Sequence, residues 1–186
     1  MEVNYKFKTK PYDHQYDAWV KNLSLSHYAY FMEMGTGKSK VLIDTIAYLS
    51  NIQHLNFALI IAPKGVYKNW VNREIPQHFP DDIRKDLFYW QSTNTKRYKD
   101  QFKSFFASTN PGVKIFVMNV EAFSSAKGKS VGAWLAKKFG SSGMIAIDES
   151  TTIKNPKAAR TKALLKLAPQ FKYSRILTGS PVTKSP

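Results

Sequence analysis

Met32 to Lys40 reads MEMGTGKSK. It lies between a short apolar run, Tyr28 to Met32, and an amphipathic stretch, Lys38 to Ser50, so the local order is strand, glycine-rich turn, helix. Gly35 and Gly37, with Thr36 between them, let the backbone turn tightly and aim successive N–H groups at an anion, and the helix that begins near Lys38 adds its positive end. In such a loop the ammonium of Lys38 reaches β- and γ-phosphate oxygens and the hydroxyl of Ser39 is a ligand for Mg²⁺. The full phosphate-loop pattern, G-x-x-x-x-G-K-[ST], would place glycine at position 32, where this chain has Met32. GTGKS alone also fits a surface turn; the strand before it and the helix after it favour a nucleotide.

Outward from this segment the alternation repeats. Phe57 to Ala62, Leu87 to Trp90, Lys114 to Asn119, Met144 to Ile147 and Arg175 to Leu177 read as short buried strands, several of them rich in Ile, Val, Phe and Tyr. Val66 to His78, Thr95 to Ala107, Ser130 to Phe139 and Pro156 to Ala168 have helical spacing, and a first helix is expected over Tyr12 to Asn22. The alternation predicts an α/β fold, a mostly parallel sheet with helices on both faces. Tyr98, Phe102 and Phe105 recur at helical spacing and read as core rather than as a base-stacking platform. Ser124 to Gly132, SSAKGKSVG, reads as a mobile basic loop.

Two further segments carry chemistry. GMIAIDES, Gly143 to Ser150, runs a buried strand straight into Asp148 and Glu149, at the end of a strand where open α/β sheets bind ligands. Asp148 suits the Mg²⁺ shell and Glu149 the orientation or deprotonation of an attacking water; a helix N-cap at Asp148 is an equally open reading of the acid pair alone. RILTGSP, Arg175 to Pro181, ends a short strand in a small polar turn whose Thr178 and Ser180 can hydrogen-bond to neighbouring loops.

The 186 residues suit one domain by the usual span of about 100–200 residues. Their 43% hydrophobic content argues for a packed core rather than disorder. With no cysteine, disulfide frameworks, thiolate metal sites and cysteine nucleophiles are excluded. No stretch approaches the roughly 18 apolar residues of a membrane span, so a soluble, intracellular protein is expected, cytoplasmic or, in a eukaryote, nuclear. The net charge of +15 is uneven: residues 1–95 hold 11 basic and 9 acidic groups, residues 96–186 hold 17 and 4. A polyanionic partner is the natural inference, and a solvated basic face is the plain alternative.

Taken together and in order, the segments resemble the first motor domain of superfamily 2 helicases and translocases, of the Swi/Snf type. KPYDHQYDAW, Lys10 to Trp19, resembles that family's adenine-reading segment; MEMGTGKSK resembles motif I, where the family often lacks the first glycine. LIIAPKGVYKNWVNREI, Leu59 to Ile75, resembles motif Ia; VMNVEAF, Val117 to Phe123, the next nucleic-acid-contacting motif; DESTTIKNP, Asp148 to Pro156, the DEAH-type box; and LTGSP motif III. The resemblance implies a RecA-like P-loop fold using ATP and Mg²⁺. Gln15 would read adenine; Gly35, Thr36, Gly37, Lys38 and Ser39 would hold the phosphates, Ser39 and Asp148 the Mg²⁺, and Glu149 would be the catalytic base. Pro63, Lys64, Asn119, Lys154 and Asn155 would face a nucleic-acid strand, through sugar-phosphate rather than base edges, with duplex DNA the expected partner. Tyr12, Trp19 and Trp70 are expected in the core rather than on nucleic acid.

Two departures matter. Thr151 stands where the family's box commonly ends in histidine, which puts in doubt the coupling of hydrolysis to Thr178, Gly179 and Ser180. The chain also ends at Pro186, just past motif III, so a second RecA-like domain in cis, which supplies arginine fingers in this family, is expected to be missing and the isolated domain to hydrolyse weakly or not at all. A non-enzymatic nucleic-acid- or protein-binding module derived from a helicase domain is the alternative from a different class. A small P-loop kinase is a third reading, but no arginine lies in an obvious lid and it leaves LTGSP unexplained.

Overall fold

The computed structural model describes residues 4–93, 95–148, 155 and 157–179. Six strands form one sheet: β1 (His27–Phe31), β2 (Phe57–Ala62), β3 (Lys85–Tyr89), β4 (Val113–Asn119), β5 (Gly143–Asp148) and β6 (Tyr173–Thr178), in the order β1-β6-β5-β2-β4-β3. Every pairing is parallel. The expected strands are all present, with ends within two residues of expectation, but β1 and β3, at the edges of the sheet, are only partly buried.

The helices are α1 (Asp13–Leu23), α2 (Lys38–Asn51), α3 (Tyr67–Asn69), α4 (Ile75–His78), α5 (Lys96–Ala107), α6 (Ala126–Phe139) and α7 (Ala159–Leu167). Among the described residues no helix is long and apolar enough to cross a membrane. The central strand β2 is buried along its whole length because its side chains feed two cores in turn. Ala58, Ile60 and Ala62 join Tyr30, Ile115, Val117, Ala146 and Leu177 beneath α1, α2 and α4. Phe57, Leu59 and Ile61 join Phe116, Met118, Ile145 and Ile147 against α5, α6 and α7. Each fully buried Val, Leu, Ile or Phe contributes about 1.5–3 kcal/mol, which is why continuous apolar runs settle in the middle of such a sheet. Phe105 of α5 is buried in the second core and Phe102 packs against it, while Tyr98, also buried, stacks on Phe88.

The basic stretch Ser124 to Gly132 is not a loop. Val120–Ser124 is a 3-10 turn, and α6 starts at Ala126 because the Ser125 side chain caps it, accepting from the Gly128 N–H at 3.0 Å. The glycine that signals a loop in the sequence is a packing site: a β-carbon at Gly128 would lie 2.0 Å from the carbonyl oxygen of Ala122. The expected helix Val66 to His78 is also modified, since Trp70–Glu74 between α3 and α4 is π-helical. Pro76 explains this: it has no N–H for the carbonyl four residues back, and its ring would press on that carbonyl, so the turn before it widens.

Arg175 of β6 is fully buried. Its guanidinium donates to Asn22 Oδ1 at 3.1 Å and to the carbonyls of Asn22, Leu25, Ser26 and Ser174, fastening β6 to the end of α1. Burial pulls its pKa below the ordinary arginine value, and these five acceptors are what make the buried charge tolerable.

Candidate functional site

Because all six strands run the same way, their C-terminal ends lie along one edge of the sheet. The turn after β1 holds Gly35 at φ +79° and Gly37 at φ +82°, the left-handed conformation that glycine adopts without a β-carbon penalty. Gly37 is the residue that opens α2. Lys38 Nζ donates to the carbonyls of Met32 at 3.0 Å and Glu33 at 2.8 Å, so the ammonium sits across its own loop. The Thr36 hydroxyl donates to the Glu33 carbonyl at 2.7 Å.

Gln15 is only 5% exposed, and its amide is spent on the loop and on its own helix: Nε2 donates to the Thr36 carbonyl at 2.9 Å while Oε1 accepts from the Tyr12 N–H at 3.0 Å. A β-carbon on Gly37 would fall 2.3 Å from Gln15 Nε2, so a side chain there would displace the Gln15 amide in addition to straining the left-handed backbone. His14 Nε2 is 3.1 Å from the same Thr36 carbonyl. Tyr12, expected in the core, is 71% exposed instead and stacks on His14, the ring centroids 5.9 Å apart. It precedes α1 as the N-cap residue, so its side chain leaves the helix on the solvent side. Tyr12 and His14 line an open groove of about 720 Å³ with Lys10, Pro11 and Asp13.

Asp148 ends β5, next to Leu177 in β6, while Thr178 pairs with Phe31 of β1. The end of β6 is thereby wedged between the glycine loop and Asp148. A β-carbon at Gly179 would stand 3.4 Å from the Met34 nitrogen and 3.7 Å from Lys38 Nζ. Thr178 is buried. A cleft of about 700 Å³ brings Lys38, Ser39 and Asp148 together with Gly35 and Gly37, and Trp70, Arg73 and Glu74 also line it. Trp70 is buried, as expected, and its Nε1 donates to Asp148 Oδ2 at 3.0 Å. Glu149, Thr151, Lys154 and Ser180 lie outside the described residues.

The chain's residues fit a nucleotide and its cation. Two left-handed glycines and a helix start present N–H groups around a concavity, one ammonium and one hydroxyl line it, and Asp148 and Glu74 bring carboxylates to it. Among the described residues no cluster of three or more His, Asp or Glu could hold a metal on its own. The Asp148 carboxylate with the Ser39 hydroxyl suits Mg²⁺, which is commonly shared between one or two protein ligands, water and substrate phosphates.

Further along the same edge, Pro63 and Lys64 follow β2 and Asn119 ends β4. Glu121 joins them: its carboxylate accepts from the Lys64 N–H at 3.1 Å and from Asn119 Nδ2 at 3.2 Å. Asn155 is exposed and its Oδ1 accepts from the Lys157 N–H at 3.0 Å, a turn before α7. Sequence reasoning gave Glu121, His14, Arg73 and Glu74 no role. Only the last two had a usable signal, since Val66, Asn69, Trp70, Arg73 and Glu74 follow the i, i+3, i+4 spacing of one helix face and all five line the cleft.

The model of the SNF2-related domain family matches residues 30–186, and the chain belongs to that family. Its fold is RecA-like. The Sulfolobus solfataricus SWI2/SNF2 ATPase core in complex with double-stranded DNA is similar at a TM-score of 0.70 and 22% identity, over 97% of this chain and 34% of that one. The UvsW helicase from bacteriophage T4 is similar at 0.60 and 17% identity, over 92% and 53%. The Type ISP restriction-modification enzyme LlaGI, as a nuclease-deletion mutant bound to a DNA substrate mimic, is similar at 0.64 and 14% identity, over 94% and 18%. The chain thus spans about a third of the length of the Sulfolobus core. No curated protein matches the sequence.

Proposed function

We propose that this chain is the ATP-binding first motor domain of a DNA-dependent ATPase, which together with a second RecA-like domain in cis couples Mg²⁺-ATP hydrolysis to movement on duplex DNA. The observation that carries the proposal is the convergence of Lys38, Ser39 and Asp148 on one cleft at the C-terminal edge of the sheet. Lys38 leaves the Met32 and Glu33 carbonyls for phosphate oxygens, which attract an ammonium more strongly than neutral carbonyls do. The N–H groups around Gly35, Thr36 and Gly37 hold the phosphates, and the groove at Tyr12 and His14 takes the adenine, with Gln15 tying that groove to the loop. Ser39 and Asp148 hold the Mg²⁺, which supplies charge neutralisation across the phosphates. Glu149 orients and deprotonates water. Thr151, Thr178, Gly179 and Ser180 relay the state of the cleft; Gly179 is near enough to Lys38 to do so.

On this reading Pro63, Lys64, Asn119, Lys154 and Asn155 line the track of a nucleic-acid backbone. The Glu121 bridge supports it by holding the ends of β2 and β4 as one surface. Contacts of this kind give affinity without sequence preference and make it steeply salt-dependent. The DNA complexes among the structurally similar proteins point to the same class of partner.

The test is equilibrium binding of a fluorescent ATP analogue to the 186-residue chain, followed by DNA-stimulated ATPase with a second RecA-like domain supplied. Lys38→Ala is expected to weaken nucleotide binding about 10–100-fold, the size of a lost charge-assisted contact. Glu149→Gln should bind nucleotide like the parent while abolishing turnover. Equal binding by Lys38→Ala and the parent refutes the assignment. Salt-dependent DNA binding without turnover in the two-domain assay would instead favour a non-enzymatic binding module.

A further inference from the structure

Trp70 and Trp19 are a matched pair of buried indoles. Both are almost fully enclosed, at 2% and 1% exposure, and both belong to the same core beneath α1 and α2. Among the described residues Trp19 Nε1 has no hydrogen-bond partner, in contrast to the indole N–H of Trp70. Trp70 Nε1 instead ends 3.0 Å from Asp148 Oδ2. The indole stands at the start of the π-helical turn, whose widened register has the Ile75 N–H donating to the Trp70 carbonyl.

We propose that Trp70 is a positioning residue for the Asp148 carboxylate: its N–H fixes the rotamer of Asp148 so that the other oxygen faces the cleft, pre-aimed at a divalent cation. The inference rests on the nucleotide reading of the cleft. An indole suits the task because it is a neutral, donor-only group. It occupies one lone pair of Oδ2 without cancelling the carboxylate charge, as a lysine or arginine there would, and it cannot compete as a ligand. The ring is too enclosed to move, so the orientation it imposes is built in before any cation arrives. Outer-shell donors of this type typically change metal affinity about 10–100-fold when removed.

The experiment titrates Mg²⁺ into the 186-residue chain in the presence of a fluorescent ADP analogue. Trp70→Phe keeps the aromatic packing and removes only the N–H; Trp19→Phe is the control. With chelator present, Trp19→Phe should bind the analogue like the parent, and the Mg²⁺ response of each variant is scored against its own cation-free affinity. The Mg²⁺ concentration giving half of the cation-dependent tightening should rise about 10–100-fold in Trp70→Phe and stay put in Trp19→Phe. An unchanged Mg²⁺ midpoint in folded Trp70→Phe overturns the proposal, since a purely structural tryptophan would leave it there.

Should Trp70→Phe fail to fold, the unsubstituted sequence labelled with 5-fluorotryptophan answers the same question. Single Phe replacements of Trp19, Trp90 and Trp134 assign three resonances and leave the fourth to Trp70. Adding Mg²⁺ to the ADP-bound protein should shift the Trp70 resonance and leave that of Trp19 in place; a stationary Trp70 signal overturns the proposal. If Lys38→Ala binds the analogue as well as the parent does, the nucleotide reading falls and takes this inference with it. If binding needs Lys38 but the Mg²⁺ midpoint ignores Trp70, only the inference falls.

Discussion

The tripeptide Gly-Lys-Ser occurs twice, at 37–39 and at 128–130, and the two copies have different structures. At Gly37 the backbone is left-handed and the lysine begins α2, at the lip of a cleft. At Gly128 the same string is the first turn of α6, with its glycine pressed on the Ala122 carbonyl. What differs is the approach. A parallel edge strand delivers the chain to the first copy through a second left-handed glycine, Gly35, whereas Ser125 caps the second copy and commits it to a helix. A phosphate-binding string is therefore a property of the turn that precedes it, not of the three residues.

Exchanging the two glycines for alanine separates the roles most strongly. Gly128→Ala drives a methyl into a backbone oxygen, an overpacking that costs about 3 kcal/mol, or about 6–12 °C in Tm, while leaving the nucleotide affinity of the folded chain unchanged. Gly37→Ala should lose less stability, about 1–2 kcal/mol for the left-handed backbone, yet weaken nucleotide binding tenfold or more by displacing Gln15 from Thr36. Thermal melting and analogue titration of both variants decide this; the contrast is lost if neither changes binding.

A smaller effect is expected where only the second copy has a side-chain cap. Ser125→Ala should cost about 1 kcal/mol, or roughly 2–4 °C, and speed amide hydrogen exchange at Gly128. Identical exchange there would show that packing of Gly128, not the cap, holds the turn.

The least effect is a pH response on the α2 side. His78 lies below its ordinary value of 6.5, first because of burial and then because of Lys40, Arg73 and Lys8. The native state thus resists a proton that the unfolded chain accepts. Stability from neutral His78 is complete above about pH 6.5 and is lost as the pH falls below it toward the depressed native value. His78 Nδ1 is 2.7 Å from Thr9 Oγ1, so acidification should first raise hydrogen exchange in residues 5–9 and spare α6. Equal responses in both regions would exclude His78 as the cause.

The inner strands were legible because buried parallel strands are written as contiguous apolar runs, the half-buried edge strands β1 and β3 because of their Tyr and Phe, and α1, α2, α5 and α7 because their apolar spacing is helical. The start of α6 was not, because Gly and Ser near a charge run signal loop unless the neighbour that needs the glycine is known, and that neighbour is Ala122. The burial of Trp70 follows from its aromatic character, but its contact with Asp148 joins residues 78 positions apart and leaves no local mark. The exposure of Tyr12 is not legible in the sequence, because aromatic character says that a side chain prefers burial, not that its position at a helix entrance permits it.

By itself the sequence determined the alternation of strands and helices, the glycine loop with its lysine and serine, and the acid at the end of β5, since these depend on residue type and local spacing. Only the tertiary structure decided which strand ends are neighbours, where the helix Pro76 widens places its indole, and which of two identical tripeptides faces a cleft. Those outcomes depend on parallel register and on contacts between distant residues, and each requires the rest of the fold to hold its partner in place.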